Sequence, residues 1–164
     1  MAISKIKPRH ASEGRSIAAV LKDRIDYDKN PDKTKGGLLV SSYQCDPDTA
    51  WQEFALSKQI YETETGRKRA PENDVISYLI IQSFKPGEIT PEDANKLGYQ
   101  LALEFTGGQH QFLVATHPYL HPAVRIGVPH PVRYSLYAVL NEGQKIRHGI
   151  SDWHYPWPAQ SGHG

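Results

Sequence analysis

The apolar positions of this chain fall into two periods, and the alternation between them sets out its elements. Ile17, Val20, Leu21 and Ile25 recur three and four residues apart, which predicts a first helix over residues 12–25 with Ser12 and Glu13 at its start. "YDKNPDKTKGG" is a polar loop broken at Asn30-Pro31 and Gly36-Gly37, and "LLVSSY" (38–43) fits a short strand. A second helix runs from Pro47 to a stop at Gly66, with Trp51, Phe54, Ala55 and Ile60 as its core face. "VISYLII" (75–81) is almost continuously apolar and β-branched, as in a strand buried on both faces. Thr90, Pro91 and Asp93 open a third helix as N-cap, first-turn proline and first-turn acid. Ala94, Leu97, Leu101, Ala102 and Phe105 form its stripe, and Gly107-Gly108 closes it. "HQFLVAT" (110–116) is a further strand that ends at His117. Beyond it only "YSLYAVL" (134–140) has a strand's pattern, while "HGISDWHYPWPAQSGHG" has the composition of a loose tail.

Composition adds a boundary that periodicity alone does not mark. Residues 1–117 hold 16 of the 18 acidic residues and three of the eight histidines. Residues 118–164 hold only Glu142 and Asp152, but five histidines and six of the 12 prolines. The chain therefore divides into a body, 1–117, and a divergent Pro/His-rich tail, 118–164, expected to be poorly ordered. The 164 residues suffice for one domain with a real core. A net charge of +1 points to no nucleic-acid or membrane partner by itself, although a local basic patch is compatible with it. The single cysteine, Cys45, excludes an intramolecular disulfide framework and fits a reducing compartment. With no apolar leader at the N-terminus and no run of membrane-spanning length, a soluble, cytoplasmic protein is expected.

Two positions carry candidate chemistry. Tyr27 stands just past the first helix and just before Lys29, Lys33 and Lys35. It reads either as an aromatic anchor for a helix end or as a nucleophile. A phenol needs a metal or base nearby to attack phosphorus at neutral pH, and lysines beside it can hold the phosphates of a DNA strand. His117 ends a buried strand, a rigid place for a metal ligand and equally a common place for a hydrogen-bonded surface histidine. His110, seven residues earlier, falls on the opposite face by parity.

"RIDYDKNPDKT", "LLVSSYQCDPDTAWQEFALSKQIYETETGR" and "NDVISYLIIQSFKPGEITPEDANKLGYQLALEFTGGQHQFLVATH" together resemble the relaxase/mobilisation nuclease family of conjugative and mobilisable elements, over roughly residues 1–117. The resemblance implies a fold like that of HUH endonucleases: α+β, a mostly antiparallel central sheet flanked by helices. It also implies nicking of single-stranded DNA at an origin of transfer, with accessory mobilisation proteins as further partners. A tyrosine forms a 5′-phosphotyrosyl link, and a divalent cation, Mg²⁺ or Mn²⁺, is held by histidines. Carried onto this chain, it puts Tyr27 at the nucleophile, His117 at the first metal ligand, and Lys29, Lys33 and Lys35 on the DNA.

The pattern departs at that same histidine. The family's motif after "VAT" is His-x-Asp-x-x-His-x-His. Counted from His117, the aspartate position holds Tyr119, and the two later histidine positions hold Pro122 and Val124. His121 is one residue out of register, and Pro118 and Pro122 oppose strand pairing. Two routes lead here. One is divergence into another cation site using His117, His121 and His130. The other is a change of reading frame near residue 117, which the composition shift favours. The fold is thus expected to be altered after the strand ending at His117. Impaired nicking is the leading functional expectation, with a non-catalytic DNA-binding remnant or a His-rich metal- or partner-binding module as alternatives.

Overall fold

The computed structural model describes residues 3–85, 87–118 and 133–138. They form an α+β fold in the order β1 (Ile3–His10), α1 (Ile17–Asp28), β2 (Val40–Tyr43), α2 (Ala50–Thr65), a 3-10 turn (Pro71–Asn73), β3 (Val75–Ser83), α3 (Pro91–Thr106), β4 (Phe112–His117) and β5 (Arg133–Ala138). The strands make one sheet in the order β1-β3-β5-β4-β2, and every neighbouring pair is antiparallel.

Each face of the sheet carries its own helical layer. On one face Val20, Leu21 and Ile25 of α1 and Ala50 and Phe54 of α2 pack on Ile76, Leu79, Leu113 and Ala115. On the other, Leu101 and Ala102 of α3 pack on Ile80, Phe112 and Val114. Neighbouring strand residues point to opposite faces. The unbroken apolar run of β4, where Phe112 to Ala115 are all buried, therefore supplies both layers at once. By the same alternation His117 shares the α1/α2 face with Leu113 and Ala115.

The helices follow local rules. Thr90 caps α3 by accepting a hydrogen bond from the Asp93 N–H at 3.1 Å, Pro91 takes the first turn, and Gly107 ends the helix with φ +61°. Helix α2 ends at Gly66, φ +66°, as its pattern implies, but it starts at Ala50 rather than Pro47. Its buried face is Ala50, Phe54, Lys58 and Tyr61, and Ile60 lies in solvent. Lys58 and Asp74, both buried, form a 2.6 Å ion pair between α2 and the start of β3. The cap of helix α1 lies four residues later than the expected start at Ser12. Ser16, not Ser12, accepts from the Ala19 N–H, while Gly14, at φ +72°, keeps the preceding segment out of the helix.

Two features change the architecture expected from sequence. Strand β1 is absent from the pattern reading because Lys5, Lys7, Pro8 and Arg9 look like a polar lead-in. It is an edge strand, pairing only with β3, and an edge tolerates both charge and proline. The strand pattern at 134–140 is matched by β5, residues 133–138, but its place is unexpected: although it lies inside the segment whose composition shifts, it runs between β3 and β4, with His117 opposite Arg133. The sheet therefore continues past His117.

Leu101→Ala removes a buried side chain from the α3 layer and is expected to cost roughly 2–5 kcal/mol, the range for such truncations. Chemical denaturation checks it; an unchanged midpoint would show that the α3 stripe does not carry that layer.

Candidate nucleic-acid interface around Tyr27 and His117

Helix α1 delivers Tyr27 and Asp28 in its last turn, so Tyr27 belongs to the helix rather than to the loop after it. The final carbonyls of a helix have no partner within it. The Lys29 N–H closes back on the Ile25 carbonyl at 2.9 Å, and the Asp28 carbonyl is met by Nε2 of His117 at 2.6 Å. A carbonyl oxygen only accepts, so Nε2 is the protonated nitrogen and the ring's lone pair lies on Nδ1. Burial, the first cause, and the nearby Lys33 charge lower the His117 pKa below its usual range, against the opposing effect of this hydrogen bond. The ring is therefore neutral at physiological pH. The bland reading of His117, as a hydrogen-bonded residue at a strand end, is met by this contact, which does not consume Nδ1.

Asp28 is 2% exposed, and its Oδ2 has no hydrogen-bond partner among the described residues. Arg9 of β1 brings a counter-charge toward it, with Nη1 at 4.0 Å from that oxygen. At such a distance Arg9 and Lys33 only partly offset burial, which pushes the Asp28 pKa up to about 7. Burial likewise lowers the pKa of Arg9, with Asp28 opposing.

Tyr27 itself is 62% exposed, with Nζ of Lys33 3.4 Å from its ring centre. The turn behind it is built locally. Asn30 Oδ1 accepts from the Asp32 N–H at 2.9 Å, and the buried Thr34 hydroxyl donates to the Asn30 carbonyl at 3.0 Å. Asn95 of α3 ties the loop's far end to β4. Its Nδ2 donates to the Leu39 carbonyl at 2.8 Å and to Thr116 Oγ1 at 3.1 Å.

The three lysines that are neighbours in sequence do not form one patch. Lys33 joins Tyr27. Lys29 turns to the Pro47 carbonyl at 3.0 Å and to Asp26 and Asp48 at 3.6 Å each, while Lys35 pairs with Glu92 at 2.8 Å. Tyr43 donates its hydroxyl to the Gly108 carbonyl at 3.1 Å, and Tyr61 is buried, which leaves Tyr27 as the tyrosine offered to solvent among these three. His121 lies outside the described residues, as do His130 and the positions that depart from the family's motif. Sequence reasoning missed Arg9 and Asp28. Arg9 stands on an unrecognised strand, and an Asp among loop-like polar residues carries no mark of its burial.

The divalent cation implied by the family resemblance needs several donors on one point. Among the described residues no three His, Cys, Asp or Glu side chains come together, and His117 Nδ1 with Asp28 Oδ2 is too small a set for Mg²⁺ or Mn²⁺. The donors described do not fit the ion.

Residues 27–118, from the tyrosine to one residue past the histidine, match the family model described as the relaxase MobA/VirD2-like nuclease domain. The chain belongs to the relaxase nuclease family. It is 34% identical over 115 residues to the group II intron-interrupted relaxase LtrB of Lactococcus lactis subsp. cremoris, covering 59% of this chain and 20% of that protein. It is 38% identical over 93 residues to protein rlx of Staphylococcus aureus, covering 57% of this chain and 25% of the relative. This relaxase chain thus matches only a fifth to a quarter of the length of those proteins. Among its described residues no helix is long and apolar enough to cross a membrane.

The charge on Asp28 gives a pH dependence with a definite sign. Its folded pKa, about 7, lies above the ordinary 3.8, so the folded state holds the proton more tightly and stability falls as pH rises through that window. Asp28→Asn keeps the shape without the charge. It is expected to be more stable than the parent above pH 7, by about 1.4 kcal/mol for each unit of raised pKa. The advantage should vanish near pH 3. Thermal melts across that range check it, and a variant less stable than the parent at pH 8 would mean that the Arg9–Asp28 attraction outweighs burial.

Proposed function

We propose that this chain is a relaxase-type nicking domain acting on single-stranded DNA at an origin of transfer, with Tyr27 as nucleophile and with nicking impaired because the histidine set that begins at His117 is incomplete. One observation carries the reading. Tyr27 is the exposed last-turn residue of α1, its ring lies under Lys33, and its chain neighbour's carbonyl is held by His117. In the proposed step the Tyr27 oxygen bonds to phosphorus as the bond from phosphorus to the 3′ oxygen breaks. The phenol gives up one proton and the 3′ oxygen takes one, so the exchange is a transesterification without net hydrolysis. The 5′ end stays on the enzyme, ready to be returned to a 3′ hydroxyl. Lys33 places positive charge beside the phenol, where the phosphate must sit, and the turn that carries it is fixed by Asn30 and Thr34.

A second reading has its own support. Counted from His117, Tyr119, Pro122 and Val124 stand at the motif's aspartate and two later histidine positions, which favours a domain that binds the strand and nicks it poorly or not at all. Loss of transition-state stabilisation slows a reaction tenfold for each 1.36 kcal/mol, so a missing charge-neutralising group is enough to silence nicking while binding persists. Partners such as accessory mobilisation proteins belong to the same proposal.

Denaturing gels of protein mixed with a labelled nick-site oligonucleotide separate the two readings. The chain as it stands is expected to yield little or no covalent adduct. A chimera that restores His-x-Asp-x-x-His-x-His and its following strand should form adduct, and Tyr27→Phe in that chimera should abolish it with strand binding nearly intact. Adduct that survives Tyr27→Phe would place the nucleophile elsewhere.

Calorimetric titration with Mn²⁺ gives an independent check. No tight isotherm is expected, because one imidazole does not replace a three-ligand set. A micromolar isotherm lost in His117→Ala would restore the metal-dependent enzyme.

A further inference from the structure

Strand β1 carries a feature that the nicking site does not use. Its residues alternate, and Lys5, Lys7 and Arg9 stand opposite Ile81, Leu79 and Ser77 of β3. Directly paired residues share a face. Leu79 and Ile81 pack with the α1/α2 layer, so all three cations lie on the face where α1 ends in Tyr27. Lys5 and Lys7 are exposed, whereas Arg9 is mostly covered and reaches toward Asp28. Between strand and helix lies an open cleft of about 490 Å³ lined by Lys7, Arg9, His10 and Arg24, with Leu79 at its floor. Arg24 is held below its usual pKa by burial first, then by the like charges of Arg9 and Arg15. A cleft lined by charges of one sign focuses the field and raises the local concentration of anions.

The spacing suggests which anion. Alternate residues of a strand advance about 6.6 Å, twice the rise of roughly 3.3 Å. The cations are therefore set out at regular steps along a line, the arrangement of successive phosphates on an extended polynucleotide rather than of one compact ion. The line begins at Arg9, beside the residue that follows Tyr27, and leads outward through Lys7 to Lys5.

We infer that the Lys5–Lys7–Arg9 row of β1, with Arg24 of α1 on its flank, is a phosphate track that carries the single strand of DNA away from the Tyr27 site. The inference rests on the proposed nicking reading for its ligand and extends it to a surface outside the matched residues 27–118. Contacts of this kind fix the register of the strand without reading its bases. The track and the lone Lys33 thus share the work that the sequence assigns to Lys29, Lys33 and Lys35.

Salt dependence of binding to oligothymidylates of increasing length, measured on the full chain by fluorescence anisotropy, tests the track. Each phosphate neutralised on a single strand contributes about 0.7 to the slope of log K against log salt, so Lys5→Gln with Lys7→Gln should flatten that slope by about 1.4. The doubly substituted protein should also lose the gain in affinity that lengthening gives the parent. Both lysines are exposed on an edge strand, and unchanged melting confirms that the fold is intact. Arg67→Gln with Lys68→Gln, the same charge change on the exposed segment after α2, should leave slope and length dependence as in the parent. An equal loss in this control pair would reduce the track to general attraction and overturn it. A parent that binds, with a Lys5/Lys7 variant indistinguishable from it, would leave the nicking reading standing and show the row to be edge protection only. A parent that binds no single strand at all would remove both.

Discussion

Strand β5 holds the molecule together, because it is the central strand and joins β3 to β4, which do not pair with one another. Ile80 of β3 and Val114 of β4 both register on Leu136. Without β5 the sheet separates into two ribbons of two strands, β1-β3 and β4-β2, and such ribbons are marginal in water. The α1/α2 layer spans that join, with Ile76 and Leu79 on one side of it and Leu113 and Ala115 on the other. The distance from Arg9 on β1 to His117 on β4, and hence the shape of the whole candidate site, is fixed across a strand drawn from the segment of altered composition.

Two buried acids on the same side of the sheet illustrate opposite solutions to one problem. Asp74 meets Lys58 at 2.6 Å, so each buried charge has its counterpart in close contact. Asp28 meets Arg9 only at 4.0 Å and leaves an oxygen without a hydrogen bond among the described residues. The first arrangement anchors α2 to the start of β3. The second is an unfavourable arrangement kept next to the proposed nucleophile, where departures from ordinary packing rules are concentrated in proteins that do chemistry.

What the sequence disclosed depended on how local the cause was. Helix α3 was legible in full, since Thr90, Pro91 and Gly107 act within a turn of themselves, and the two-sided burial of β3 follows from its apolar run. The start of α1 was misplaced because Ser12 and Ser16 are both good caps, and the choice falls to the backbone at Gly14. Strand β1 was invisible because pairing on one edge imposes almost no apolar signature. For the site, Tyr27 and His117 were candidates by position, each with an ordinary structural reading beside it, and family resemblance alone gave them their roles; nothing in their own spacing brings together residues so far apart. Asp28 and Arg9 had no sequence signal at all. The three lysines look like a cluster in sequence, yet a helix cap, a turn and a left-handed residue aim them at different partners.

The sheet's connectivity has a consequence for how the chain reaches this structure. Ile3 finds its partner at Ser83 and Val40 at Ala115, and among the described strands no two are joined by a tight hairpin. Such long sequence separations make closure entropy a toll on each pairing and slow the search for the native topology. During synthesis β1 must wait unpaired through the making of both α1 and α2. The halves of the sheet unite only once residues 133–138 have left the ribosome. Until then β3 and β4 each present an apolar strand with an open edge, so the nascent chain is most vulnerable to association with other chains just before its central strand arrives.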